Sequence, residues 1–154
     1  MLKKLKRLSV IIICNLIVYN AQCQNIEQTL AFADAQKEKG EYVSAIYLYN
    51  RIAFFSEQSH ALYFKMAQCY EAIDSIGNAI YYYNLAKNSS CSDSCLDAML
   101  LNIASNEIRN KQFQMALINL FGMRETLTDE TKKKKNFYTA VAYFGLEDFK
   151  ESKA

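Results

Sequence analysis

The chain has 154 residues, of which 51% are hydrophobic, and it contains four glycines and no proline. That length and apolar fraction suit one domain with a sizeable core, and the scarcity of helix-breaking residues favours helices over sheets. The formal net charge is +2, and an aromatic content of 13% argues against an intrinsically disordered chain.

The N-terminal segment predicts a secretory signal peptide over residues 1–23. Residues 1–7 carry four bases and no acid, residues 8–19 are apolar apart from two positions, and Ala21 and Cys23 are the small residues that a signal peptidase reads. The apolar run of about twelve residues is shorter than the roughly 20 that span a bilayer. We therefore expect cleavage after Cys23 and export to the periplasm or cell envelope. An uncleaved anchor and lipid attachment at Cys23 are the alternatives.

Removal of this leader changes the charge of the chain. The 18 bases fall to 14 while the 16 acids remain, so residues 24–154 carry a net charge of −2. A nucleic-acid-binding protein is expected to keep a basic face, and we predict no nucleic-acid partner. The one remaining basic run, Lys132–Lys135, is interpreted as the solvated start of a helix, with a phosphate or lipid patch as the alternative.

Apolar residues at three- and four-residue spacing predict helices along the whole remaining chain. A glycine turn at Gly40 and its Asp74–Ser75 replacement separate paired helices, and a polar loop over 88–94 interrupts the series. The predicted helices cover residues 25–38, 42–55, 60–73, 76–87, 96–109, 113–125 and 129–146, and residues 147–152 are the expected opening of an eighth.

An internal repeat organises these helices. Residues 45–50 read AIYLYN, and 34 residues later residues 79–84 read AIYYYN, which is identical at five of six positions. A degraded third copy begins at Ala116, 37 residues after Ala79. A fixed period of this length is typical of stacked repeat arrays, in which each unit buries its apolar face against its neighbours.

These residues resemble the tetratricopeptide repeat family, whose 34-residue unit is a helical hairpin. The resemblance rests on small residues at Ala33, Ala45, Ala67, Ala79, Ala104 and Ala116 and on the aromatic residues Tyr49, Tyr70 and Tyr83. It implies an all-α fold of antiparallel hairpins stacked as a right-handed solenoid of about three and a half repeats. The expected units are residues 26–59, 60–93, 97–130 and an incomplete 133–154, which places Thr139–Ala140 and Tyr143 at matching positions of the last.

The same resemblance implies a ligand groove lined by the first helix of each hairpin. The corresponding residues here are Leu30, Phe64, Gln68, Leu101, Ser105, Phe137 and Val141. The lysine and asparagine set that clamps a C-terminal carboxylate in chaperone-binding relatives is missing, so an apolar or helical segment is the expected ligand. Half-buried packing of the larger side chains is an equally good interpretation of the pattern.

No residue pattern predicts catalysis, a metal or a cofactor. The only histidine, His60, lacks a partner set for zinc or a catalytic triad, and the four glycines form no phosphate-binding loop. Cys69, Cys91 and Cys95 remain after cleavage. In an oxidising compartment the flexible loop permits a Cys91–Cys95 disulfide, whereas Cys69 is expected to pack as a small hydrophobe. Pairing of Cys69 with either loop cysteine and a redox-active pair in the loop are the alternatives.

The sequence therefore predicts a non-enzymatic protein- or peptide-binding scaffold outside the cytoplasm. The alternatives are a sensory or regulatory input region of a longer exported or membrane protein, and an assembly scaffold that self-associates. The last complete helix carries apolar residues around much of its circumference, so we expect it to expose an apolar face that meets a partner or further chain. Residues 147–154 are expected to form at most a frayed turn.

Overall fold

The computed structural model describes residues 25–55, 59–89, 92–124 and 127–151. Every regular element within those ranges is an α-helix, with seven helices and no strand. None of the helices described there combines the length and apolar composition that a membrane crossing requires. The chain divides into two compact units, Met1–Glu57 and Gln58–Ala154. The predicted all-α class is confirmed.

The first unit contains a helical hairpin made of α1 (residues 25–38) and α2 (Tyr42–Phe55). A tight turn at Gly40 reverses the chain, and fully buried alanines Ala33 and Ala45 lie on its two helices. The hydroxyl of Tyr49 donates a hydrogen bond of 2.6 Å to Asp34 Oδ1 and so joins the second helix to the first. A buried phenol needs such a partner because an unsatisfied hydroxyl is costly in an apolar environment.

The second unit contains five helices: α3 (His60–Ala72), α4 (Ile76–Asn88), α5 (Asp93–Arg109), α6 (Phe113–Phe121) and α7 (Asp129–Glu151). Each helix packs against the next, and α7 also contacts α5. Ser59 and Ser92 cap α3 and α5, since their hydroxyls accept hydrogen bonds from the amides of Leu62 and Cys95. The second unit thus consists of two hairpins, α3–α4 and α5–α6, followed by α7.

The three hairpin turns share one backbone geometry. Gly40, Asp74 and Lys111 have positive φ angles of 82°, 57° and 59°, although only the first is a glycine. At each turn the following amide donates to the carbonyl five residues earlier, which is the Schellman arrangement that closes a helix. The three bonds are Glu41 to Gln36, Ser75 to Tyr70 and Gln112 to Glu107. The turns are thus separated by the same 34- and 37-residue intervals as the sequence repeats.

Small residues occupy the contact points between paired helices. The six alanines predicted for this role are all fully buried: Ala33, Ala45, Ala67, Ala79, Ala104 and Ala116. Tyr83 is buried and Tyr81 is exposed, while the half-buried ring of Tyr82 stacks on Tyr70 with centroids 5.1 Å apart. Because alanine has a small side chain, the helix axes can approach closely at these positions.

Polar side-chain contacts reinforce the second unit, both within its two hairpins and between them. Tyr83 donates to Glu71 at 2.7 Å, and the amide of Asn119 donates to both carboxylate oxygens of Glu107. Arg109, at the end of α5, reaches back to the α3–α4 turn, where Nη2 lies 2.6 Å from Asp74 Oδ1. This ion pair links the third hairpin to the turn of the second.

The end of the array differs from the sequence prediction. Helix α7 continues without a turn through Glu151, so no eighth helix opens at residue 147, and the frayed turn predicted there is wrong up to that residue. The eighth helix was expected because residues 148–152 match the start of a second repeat helix, but the positive-φ turn that ends the first helix of each earlier hairpin has no counterpart before them. Residues 152–154 lie outside the described ranges.

The other helix limits shift by a few residues. Helix α6 ends at Phe121 and not at residue 125, and α5 begins at Asp93 and not at residue 96. Gly122 follows α6 directly, and its amide closes the last turn by donating to the Ile118 carbonyl. The predicted signal peptide, residues 1–23, lies outside the part of the chain that the structure describes.

Candidate ligand groove

A cleft of about 300 Å³ lies in the second unit, where the N-terminal half of α5 meets the α6–α7 connection and the start of α7. We call it the α5–α7 cleft. Apolar and polar side chains contribute to its walls, and two of its residues are cationic. Its lining residues are Asp97, Ala98, Leu101, Asn102, Arg124, Leu127, Thr128, Thr131 and Lys134.

An ion pair between the buried Asp97 and the exposed Arg124 lines this cleft. The carboxylate of Asp97 is almost wholly buried and accepts three hydrogen bonds from one residue: from the backbone amide of Arg124 at 3.2 Å, from Nε at 2.8 Å and from Nη2 at 2.7 Å. A buried carboxylate needs such compensation because desolvation of an unpaired charge is very costly. The pair therefore holds the segment after α6 against the start of α5.

The start of α7 forms the opposite wall. Thr128 caps the helix, since its hydroxyl accepts a hydrogen bond of 3.3 Å from the Thr131 amide. Lys134 bonds to Glu130 at 2.7 Å on the exposed surface, and this contact raises the pKa of Lys134 and lowers that of Glu130. Lys132 and Lys133 are exposed, in keeping with the interpretation of the basic run as a solvated helix start.

The predicted groove residues of α3 and α5 are half-buried and have partial packing roles. Leu101 contacts the core cluster around Leu100 and Ala104, and it also lines the α5–α7 cleft. The ring of Phe64 lies 5.6 Å from that of Tyr83. Gln68 and Ser105 are half-buried on the same two helices. The structure brings only Leu101, of all the predicted groove residues, into the cleft.

The register of α7 differs from the one used to place Phe137 and Val141 in the groove. The predicted small contact residue, Ala140, is exposed, and Ala142 is fully buried in the core cluster. Counted from Ala142, the positions equivalent to Leu101 and Ser105 are Thr139 and Tyr143. The equivalent positions are therefore shifted by two residues, because apolar residues surround α7 and its periodicity does not select one face.

Leu30, the predicted groove residue of the first unit, is half-buried on α1. That unit has its own cavity of about 190 Å³ at the other end of the hairpin, and Leu30 does not line it. The cavity is lined by Asn25, Ile26, Thr29, Arg51, Ile52 and Phe55. Asn25 and Phe55 are the first and last described residues of this hairpin, and we assign the cavity no role.

Sequence reasoning missed the polar half of the α5–α7 cleft. Asp97 and Arg124 are 27 residues apart in the sequence, and no local pattern predicts their pairing. A weak signal existed, since Asp97 lies at the start of a repeat among residues that are otherwise apolar or small. A second buried carboxylate, Glu107, has its pKa raised by burial, although hydrogen bonding to Asn119 and the charge of Lys87 oppose that change.

The cleft combines apolar side chains with hydrogen-bonding and charged groups. Its carboxylate and guanidinium neutralise each other, and the described residues hold no group of three or more metal-binding side chains. Cys69 is a buried thiol, and Cys95 is disulfide-bonded. Its predicted partner Cys91 lies outside the described residues, so the Cys91–Cys95 pairing stays a prediction.

No family model matches the chain, and no curated protein or solved structure matches it either. The likeness to tetratricopeptide repeats therefore rests on the residues of the repeats themselves. The turns and buried alanines described above agree with a helical repeat architecture.

Proposed function

We propose that this protein is a non-enzymatic, peptide- or protein-binding scaffold of the tetratricopeptide type, arranged as a right-handed solenoid and acting outside the cytoplasm. The proposal is supported by the repeated hairpins and the signal-peptide pattern of residues 1–23. The observation that carries it is the α5–α7 cleft, which includes Leu101, a residue that the repeat pattern independently assigns to a ligand groove.

The cleft suits a short peptide segment. Its volume of about 300 Å³ is at the lower limit of ligand pockets, so it accommodates one or two side chains and not a large cofactor. Ala98, Leu101 and Leu127 offer an apolar contact, while Asn102 and Lys134 can donate hydrogen bonds at the edge. The ligand we propose has an apolar anchor residue flanked by a carbonyl or carboxylate oxygen.

The Asp97–Arg124 pair supports this use because it makes the wall rigid before a ligand arrives. A preformed site loses less conformational entropy on binding than one that must be ordered. The proposal includes no catalytic reaction, since the cleft presents no nucleophile beside a base among the described residues.

A selected peptide and one cleft-filling substitution test the proposal. Peptides are chosen from a random phage-displayed library on the purified protein, and their affinity is measured by fluorescence polarisation. Ala98 is exposed at the cleft, so Ala98→Tyr adds a ring there without removing a core contact. We expect this change to raise the dissociation constant by about tenfold or more, equivalent to roughly 1.4 kcal/mol.

The matched control is Gln114→Tyr, which adds the same ring at an exposed position of α6 that does not line the cleft. Its affinity should equal that of the parent. Amide shifts of Ala98, Leu101 and Asn102 should move on peptide addition. Selected peptides that bind both variants equally, or that shift amides elsewhere, would contradict the assignment of the cleft.

A further inference from the structure

The outward face of α7 carries an exposed aromatic stripe. Phe137, Ala140 and Phe144 follow one another at three- and four-residue spacing, so they lie on one side of the helix. The side chains of Phe137 and Phe144 are 64% and 66% exposed. Tyr138, Ala142 and Leu146 lie on the other side, against the core cluster. Two exposed phenylalanines on one helix face form an apolar patch, which is typical of an interaction surface.

The same positions are covered in the preceding hairpins. Phe137 and Phe144 stand five residues before and two residues after the buried Ala142. The residues at the same distances from the buried Ala67 are Leu62 and Cys69, and those around Ala104 are Met99 and Asn106. All four are 5% exposed or less. The stripe is therefore the α7 copy of a surface that is buried in α3 and α5, and its shape suits a helix.

The charges along α7 identify which helix fits. After Asp129 and Glu130 in the first turn, residues 132–135 are lysines, and the last turns carry three acids, Glu147, Asp148 and Glu151, with one base, Lys150. Lys133 and Glu147 are exposed and extend the stripe at its two ends. A second α7 running antiparallel would place Phe137 beside Phe144 of the other copy and would bring Lys133 close to its Glu147. A parallel copy would set lysine against lysine.

We propose that two copies of this protein associate through the Phe137–Ala140–Phe144 stripe of α7, with the two helices antiparallel about a two-fold axis at Ala140. A two-fold contact is self-complementary, as the charge pattern requires. The small side chain at the crossing point lets the two axes approach closely. This dimer is independent of the α5–α7 cleft and stands whether or not the cleft binds a peptide.

The first test is the mass of the purified protein by sedimentation velocity over a range of concentrations. We expect a dimer, and Phe137→Ser with Phe144→Ser should raise its dissociation constant by at least about a hundredfold, because four apolar side chains are lost from each dimer. The control, Tyr81→Ser with Ile118→Ser, removes two other exposed side chains from α4 and α6 and should leave the dimer intact. A parent that remains monomeric, or a dimer that survives the α7 substitutions, would overturn the proposal.

Charge reversal tests the antiparallel arrangement without touching the aromatic residues. Lys133→Glu and Glu147→Lys should each weaken the dimer by roughly three- to tenfold, since each places like charges together. An equimolar mixture of the two variants should form a heterodimer as tight as the parent, because every facing pair is then opposite in charge. Both residues are exposed, so folding is preserved. A mixture no tighter than either variant alone would exclude this pairing.

Discussion

Helices α5 and α7 are both rich in apolar residues but have different surroundings. Helix α5 lies between α4, α6 and α7, and it buries aliphatic residues together with Asp97, Asn106 and Glu107. Helix α7 packs mainly on α5 and α6, and Ala142 is its one buried residue among those whose side chains are described. The difference teaches that burial in a repeat array depends on the neighbouring helix more than on the residue itself.

The largest expected contrast between the two helices is a cavity mutation at equivalent positions. Ile103 in α5 and Val141 in α7 each precede the buried alanine of their helix by one residue. Ile103→Ala should lower the free energy of unfolding by about 2–5 kcal/mol, because Ile103 is fully buried. Val141→Ala, at a half-buried site, should cost roughly 1 kcal/mol or less. Urea unfolding followed by circular dichroism measures both, and equal losses would show that α7 is as enclosed as α5.

Adding a side chain, instead of removing one, tests the same contrast between a buried helix position and an exposed position of α7. Ala79→Phe inserts a ring at a fully buried helix contact in α4 and should cost about 1–3 kcal/mol through overpacking. Ala140→Phe adds the same ring to the exposed side of α7, where it should change the stability of the monomer, measured below the dissociation constant of the dimer, by less than about 0.5 kcal/mol. A variant Ala79→Phe that melts with the parent would contradict the close approach of α3 and α4.

Two glycines separate local helix propensity from packing. A Cβ on Gly145 would overlap the ring of Phe113, which packs against the core cluster, whereas a Cβ on Gly77 would meet nothing within 4 Å. Gly145→Ala should therefore be destabilising by about 1–2 kcal/mol despite its better helix propensity. Gly77→Ala should be stabilising by roughly 0.5 kcal/mol. If differential scanning calorimetry shows both changes raising the melting temperature, Phe113 yields easily and α6 is not tightly packed on α7.

The smallest expected effect is a pH dependence of opposite sign in the two helices. Burial raises the pKa of Glu107 in α5 above its usual 4.5, so its stabilising contribution is present below that value and is lost as pH rises through the folded pKa. Hydrogen bonding to Lys134 lowers the pKa of Glu130 in α7, so its contribution is present above 4.5 and is lost as pH falls through the folded pKa.

Glutamine substitutions distinguish these two carboxyls. Glu107→Gln should remove the part of the decline in stability that occurs just above pH 4.5, and Glu130→Gln should remove a shallow rise that ends near that pH. Urea midpoints between pH 3 and 8 measure both slopes. The same slope for parent and Glu107→Gln would mean that water reaches the Glu107 carboxylate in the folded protein.

The cleft was only partly predictable from the sequence. Leu101 was predicted to line a groove because its position in the repeat determines on which face of the helix it lies. That is a local property of the sequence. Arg124, Leu127 and Thr128 reach the cleft through a connection whose course depends on the ion pair with Asp97. Such a contact between distant residues leaves no trace in a spacing pattern.

The sequence by itself determined the helices of the three hairpins to within a few residues, their turns at Gly40 and Asp74, and the six buried alanines. These features follow from backbone conformation and from three- and four-residue spacing, both of which act over a few neighbouring residues. Only the tertiary structure decided that α7 runs on through Glu151, that Ala142 and not Ala140 faces the core, and that Glu107 and Asp97 are buried with partners. The reason is physical: α7 is apolar on several sides, so its orientation depends on which neighbouring surface of α5 and α6 it can cover.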